Sequence, residues 1–221
     1  MDQKALFEGL AAFLCTIVII TFHEFGHAWA ALRCGDDTAS LQGRVTLNPA
    51  AHIDVVGTII LPLIAVALSV TGSPLGGFII GWGKPVPVNL ANLSRPRIDD
   101  ILISLAGPAM NVVVALLAIL IARLSSFTHA EVLIDACKQM AIISMFLCFF
   151  NLLPIPPLDG SHVVKNIIGM SHETYWRLSQ FGFFLVILAV QIQPVQEILA
   201  RSTSSSLYYM VKLAGFHYFL G

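Results

Sequence analysis

His23-Glu24-Phe25-Gly26-His27, set inside an apolar run over residues 5–32, decides how this chain is read. A helix places residues four apart on one face, so both imidazoles can hold one metal ion while Glu24 stands beside it to handle a proton. The run is long enough to cross a bilayer. A charged residue at the centre of such a helix costs about 2.5–3.5 kcal/mol on an insertion scale, so Glu24 needs a partner, a cavity or a task.

Composition points to the same solvent. Of 221 residues, 57% are hydrophobic and 11% charged, and the mean hydropathy is +0.82, too apolar for a water-soluble globule of this size. The expectation is an integral, multi-pass membrane protein forming a single domain over residues 1–221. A formal net charge of -1 with no run of Lys or Arg excludes nucleic acid as a partner and leaves membrane lipids as the surroundings. Cys15, Cys34, Cys137 and Cys148 form no CxxC pair and take no metal role. Lys4 precedes the first apolar run, yet no A-x-A-like site follows, so the run reads as a retained span.

Further apolar segments cover residues 55–70, 98–124, 132–153 and 178–199. About 20 residues cross a 30 Å hydrocarbon core, so the first, third, fourth and fifth segments qualify and the second, which carries Pro62, is marginal. His27 lies six residues before Arg33, roughly 9–15 Å inside the exit end of its helix. A third ligand must reach that depth. The best-placed residue is Asp159, in Asn151-Leu152-Leu153-Pro154-Ile155-Pro156-Pro157-Leu158-Asp159-Gly160, where three prolines break the end of the fourth segment.

A parity problem follows. Were residues 55–70 a lone crossing, the fourth segment would end on the face opposite the histidines. A re-entrant hairpin, inward through 55–70 and outward through 75–82, restores Asp159 to the histidine side. The fold expected is therefore all-α and polytopic: about four full transmembrane helices, a re-entrant hairpin and a short β or extended element, with an interfacial helix over 202–221. The core spans about 5–165, and 177–221 is accessory. On this topology the motif side holds Arg33, Arg44, Lys84, Arg95, Arg97, Lys165 and Arg177 against Lys4, Arg123, Lys138, Arg201 and Lys212 opposite, a bias of seven to five that turns the motif side toward the cytoplasm.

Irregular backbone at membrane depth is tolerated only against protein or a water-filled cavity, so residues 151–160 should line one. A His-His-Asp set leaves a fourth position open for water, the arrangement of a catalytic zinc site. A polar helix–helix contact is the alternative reading of the histidine pair, and a plain turn that of Asp159-Gly160. His162 reads first as an interfacial histidine and otherwise as a group behind the ligands or a pH-sensitive gate. His52, in a loop, is a transient ligand or a local cap with Asp54. His129, His172 and His217 read as solvated. Asp135 and Lys138 read as an interfacial ion pair, and Asp99 and Asp100 as suited to a helix N-terminus.

His23-Glu24-Phe25-Gly26-His27, with Asn151 and Leu158-Asp159-Gly160 far downstream, resembles the site-2 protease family of intramembrane zinc metalloproteases. Gly43-Arg44-Val45-Thr46-Leu47-Asn48-Pro49 with His52-Ile53-Asp54, Gly81-Trp82-Gly83-Lys84-Pro85-Val86-Pro87-Val88-Asn89, and Ala106-Gly107-Pro108 through Asn111 resemble the short bacterial members, which lack PDZ and CBS domains. The likeness runs from about residue 22 to about 164. It implies a three-helix catalytic core and one zinc ion per chain held by His23, His27 and Asp159. It further implies Glu24 as general base, Asn151 as an orienting or oxyanion-stabilising group, and a bacterial cytoplasmic membrane. Ser161-His162 departs from the Gly or Ser then Arg that the family often carries after its Asp-Gly.

The expected activity is hydrolysis of peptide bonds in transmembrane or membrane-associated protein substrates. A substrate helix must unwind before a carbonyl is reached, and the segments around 44–48 and 84–89 could hold the unwound strand by edge pairing. Self-association is left open. The rival readings are a membrane metal transporter, disfavoured because no inverted repeat is visible, and a non-proteolytic protein that binds membrane helices.

Overall fold

The computed structural model describes residues 3–71, 81–128 and 130–216. Helix α1 (Gln3–Arg33) is followed by the short α2 (Thr38–Leu41), a π-helical turn over Val55–Ile60, and α3 (Leu61–Val70). Then come α4 (Pro96–Ser126), α5 (Glu131–Asn151), α6 (Asp159–Ile167), α7 (His172–Ser179), α8 (Gly182–Gln191) and α9 (Gln193–Leu213). Among the described residues three helices, α1, α4 and α5, are each long and apolar enough to cross a membrane. Their outward faces carry Phe7, Leu14, Leu102, Leu116, Leu120, Val132 and Phe146, a surface suited to lipid and not to water. The chain is an integral membrane protein.

Helix ends follow local chemistry. At the end of α1, Gly35 takes φ +102 and lets the Asp36 N–H reach the Ala31 carbonyl at 2.9 Å and the Gly35 N–H reach Leu32 at 3.2 Å, a Schellman stop. Pro96 opens α4, and Asp99 folds back to accept the Arg95 N–H at 2.7 Å. Asp54 accepts the Gly57 N–H at 2.7 Å and starts the π turn.

Helix α4 is the centre: 44% of its most apolar stretch is buried, against 22% for α1 and 33% for α5. It runs antiparallel to both. Cys15 and Ile19 meet Val114 on one side, while Ala115, Ala118, Ile119 and Ala122 pack against Ile134, Cys137, Ala141 and Met145 on the other. Small residues set the α1–α4 spacing. A Cβ on Gly26 would fall 2.6 Å from Met110 Cγ and 2.7 Å from the Ala106 carbonyl.

Two expectations are changed by the fold and one is refined. Residues 178–199 are not one straight helix: α8 and α9 meet at an 81° bend near Ile192, where Pro194 follows at the start of α9, and the two together are apolar enough for a broken span. Residues 202–213 are no separate interfacial helix. They continue α9, whose Leu199, Thr203, Leu207 and Val211 recur every fourth residue as a buried stripe, Leu199 beside Phe150 at one end of α5 and Val211 beside the Ile134 end. Asp135 and Lys138 make no ion pair among the described residues, where helix-surface pairs join Arg95–Asp99, Glu173–Arg177 and Glu197–Arg201.

The outward leg expected over 75–82 lies outside the described residues except for Gly81 and Trp82. Those two lie against the start of the inward segment: the Trp82 N–H donates to the Gly57 carbonyl at 3.2 Å and Thr58 Oγ1 donates to the Trp82 carbonyl at 2.7 Å. Deeper in, Val66 of α3 packs against Gly9 near the far end of α1. Residues 44–48 and 83–89 run without helix, and no strand forms among the described residues. His129 and His217 also lie outside them.

Candidate metal centre

Helix α1 supplies His23 and His27 on one face, each 8% exposed. The prolines after α5 fold the chain back so that α6 begins at Asp159 beside them, with Gly160 tight against the Leu152 carbonyl. His23 Nε2 and His27 Nε2 stand 3.1 Å apart. Asp159 Oδ2 is 3.3 Å from the first and Oδ1 is 3.4 Å from the second.

These separations test the site for a metal. A tetrahedral centre with ligand bonds of about 2.0–2.1 Å has donor–donor edges of about 3.3 Å, and one ligand atom from each of the three residues lies within 4.8 Å of the others, with the imidazole pair at 3.1 Å and the carboxylate oxygens at 3.3 and 3.4 Å from them. The His27 Nδ1–H donates to the Ile103 carbonyl at 2.7 Å, leaving the Nε2 lone pair turned toward the other two donors. Asp159 Oδ2 is buried with no hydrogen-bond partner among the described residues. Two nitrogen donors and a carboxylate oxygen are a zinc-type set, and the residues fit the ion. The floor is Gly107 of α4, where a Cβ would fall 2.7 Å from His23 Cε1.

Glu24 occupies the neighbouring position on α1, where a Cβ on Gly83 would lie 3.3 Å from its Oε1. Over this side lies a cap of two non-helical segments, 44–48 and 83–89. Arg44 donates from Nη2 to the Lys84 carbonyl, the Lys84 N–H donates to the His52 carbonyl at 2.8 Å, and His52 Nε2–H donates to the Thr46 carbonyl at 2.8 Å. Burial pulls the Arg44 guanidinium below its ordinary value, an effect the nearby Glu24 carboxylate opposes. The cap is tied to the end of α1 by Asp36, which accepts from Thr38 N–H at 3.1 Å, Thr38 Oγ1 at 2.5 Å, Asn92 Nδ2 at 2.9 Å and the Asn89 N–H at 2.7 Å.

The structure thus brings His23, His27 and Asp159 together with Glu24 alongside. Asn151 closes α5 with its side-chain amide donating to the Leu147 carbonyl at 3.0 Å, within its own helix. His52 is fully buried and fastens the cap. His162, read first as interfacial, hydrogen-bonds Asp100 at 3.2 Å. Sequence reasoning missed Ile103, Gly107 and Asp100 as parts of the site's frame. Only the position of Ala106-Gly107-Pro108 among the other motifs hinted at one of them.

A family model described as Peptidase family M50 matches residues 11–139 and 125–190. YwhC of Bacillus subtilis, named as a candidate zinc metalloprotease, is 36% identical over 186 residues, covering 81% of this chain and 78% of its own length. Rip2 of Mycobacterium tuberculosis, named likewise, is 33% identical over 65% of this chain and 52% of its own. Rip2 of Mycolicibacterium smegmatis is 30% identical over 78% of this chain and 63% of its own. No solved structure matches the chain.

Proposed function

The chain belongs to peptidase family M50, an intramembrane zinc metalloprotease, and on that premise we propose that His23, His27 and Asp159 hold the zinc while Glu24 is the general base. The observation that carries this reading is the convergence of two imidazole nitrogens, 3.1 Å apart, on the Asp159 carboxylate, whose two oxygens lie 3.3 and 3.4 Å from them, inside a bundle of lipid-facing helices. Bound zinc supplies Lewis acidity toward a water molecule and a peptide carbonyl.

The chain's own residues do the rest. Glu24, one residue from His23, takes a proton from the attacking water and returns it to the leaving nitrogen, a role that contributes roughly 10²–10⁴-fold in such chemistry. Ile103 holds the His27 ring in the tautomer that offers Nε2. Asn151 is assigned an orienting or oxyanion-stabilising part near the scissile carbonyl, its Nδ2 donating one hydrogen to the Leu147 carbonyl and keeping a second for substrate.

The substrate is a transmembrane or membrane-associated protein whose helix unwinds at the cut. Gly83 and Arg44 lie near Glu24, and residues 44–48 and 84–89 form no strand among the described residues, which supports capture of the unwound segment by edge pairing. The return of Trp82 to Gly57 supports a re-entrant hairpin over 55–82, the bacterial relatives support a bacterial cytoplasmic membrane, and the charge bias supports an active site toward the cytoplasm. Purified protein carrying Glu24→Gln tests the assignment against single-span substrates. Cleavage lost with zinc retained is the expected result, whereas wild-type cleavage rates would remove Glu24 from the role of base.

A further inference from the structure

Behind the metal centre lies a second buried cluster that the hydrolytic chemistry does not use. Asp100, 4% exposed in the first turns of α4, receives three side chains from one short helix: His162 Nδ1 at 3.2 Å, Lys165 Nζ at 2.7 Å and Asn166 Nδ2 at 2.6 Å. All three belong to α6, the helix that begins with Asp159. On a helical repeat, Asp159 and Asn166 share an azimuth to within about 20°, with His162 on the same face, while Lys165 reaches round from the side.

A buried lysine and a buried aspartate are expensive unless paired and hydrogen-bonded, and such groups are best attested as devices that fix register. The surroundings add to the fixation. Lys165 Nζ lies 5.0 Å from the centre of the Tyr175 ring, the His162 ring meets the same ring edge-on at 4.9 Å, and Ser161 Oγ is 2.9 Å from the Tyr175 hydroxyl. Helix α6 has nine residues and follows a proline-rich turn, so its rotation about its own axis is set by tertiary contacts such as these. We propose that Asp100 is a positioning residue for the metal centre: its three bonds to α6 fix the rotation of that helix and hence aim the Asp159 carboxylate at His23 and His27.

This inference rests on the proposed ligand role of Asp159, and the test separates the two. Purified variants are compared by zinc affinity in chelator competition and by the visible spectrum after cobalt substitution, with thermal stability recorded in parallel. Asp100→Asn should weaken zinc binding roughly 10–100-fold and alter the cobalt spectrum, the size of effect that groups behind metal ligands have. Asp99→Asn, next door and hydrogen-bonded to Arg95 instead of α6, should lower stability and leave zinc affinity unchanged. Should Asp100→Asn fail to fold, Asn166→Leu removes one of the three bonds and should weaken zinc binding several-fold. Wild-type zinc affinity and an unchanged spectrum in the folded Asp100 or Asn166 variant overturn the positioning role, whatever happens to stability. Wild-type zinc affinity in Asp159→Asn overturns the ligand reading itself, and the positioning role with it.

Discussion

Gly107 lies so close beneath His27 that a Cβ at this position would fall 2.3 Å from the ring's Nε2, the atom turned toward Asp159. No side chain fits there without moving the imidazole. Gly107→Ala should therefore displace His27 and leave zinc well below one ion per chain, while helix content by circular dichroism stays at the wild-type level. Stoichiometric zinc in that variant would mean that α4 does not form the floor of the site.

The Asp36 anchor carries a pH signature. Burial alone would raise its carboxyl pKa, but hydrogen bonds from Thr38, Asn89 and Asn92 hold it below the ordinary value. The folded state therefore favours the charged form. Its contribution to stability is complete above the unfolded pKa of about 3.9 and is lost as pH falls through the lower folded value. Asp36→Asn should cost about 1–3 kcal/mol at pH 7, and its deficit relative to wild type should shrink in melts below about pH 4. A deficit independent of pH would show that the charge is not what ties the cap to α1.

Substrate capture by the cap is tested with proline, which cannot donate to a paired edge. Val86→Pro with Val88→Pro should abolish cleavage of a single-span substrate while zinc content stays at one per chain. Unchanged cleavage would take residues 84–89 out of the binding role.

The course of α9 along α5 makes a contrast between two leucines on one helix. Leu207 is 3% exposed within the α4–α5 cluster, whereas Leu213 is 87% exposed. Leu207→Ala should cost about 2–5 kcal/mol in detergent unfolding and Leu213→Ala close to nothing. Equal, small effects would fit a surface-lying tail instead.

Much of the site was readable before any coordinates, because its signals are local or forced by the solvent. His23 and His27 declare themselves by helical spacing, and Asp159 by prolines that end a span where irregular backbone must be covered. The frame around them was not. Asp100 meets residues 62–66 positions away, and Ile103 acts through a backbone carbonyl that any residue would supply. Tyr208, Tyr209, Phe216, Tyr218 and Phe219 mixed with Lys212 and His217 made the end of the chain look interfacial, and that mixture hid the four-residue recurrence of Leu199, Thr203, Leu207 and Val211. The bend at Ile192 was hidden by averaging hydropathy across Gln191, Gln193 and Pro194.

The claim on which the rest depends is that α6 completes a zinc site begun on α1. Metal analysis of purified Asp159→Ala beside wild type addresses it directly. One zinc per wild-type chain, with zinc and substrate cleavage both lost in the variant, is the result expected from donor atoms 3.3 and 3.4 Å from the two imidazoles. A variant that keeps its zinc and still cleaves would show that His23 and His27 find their third ligand elsewhere.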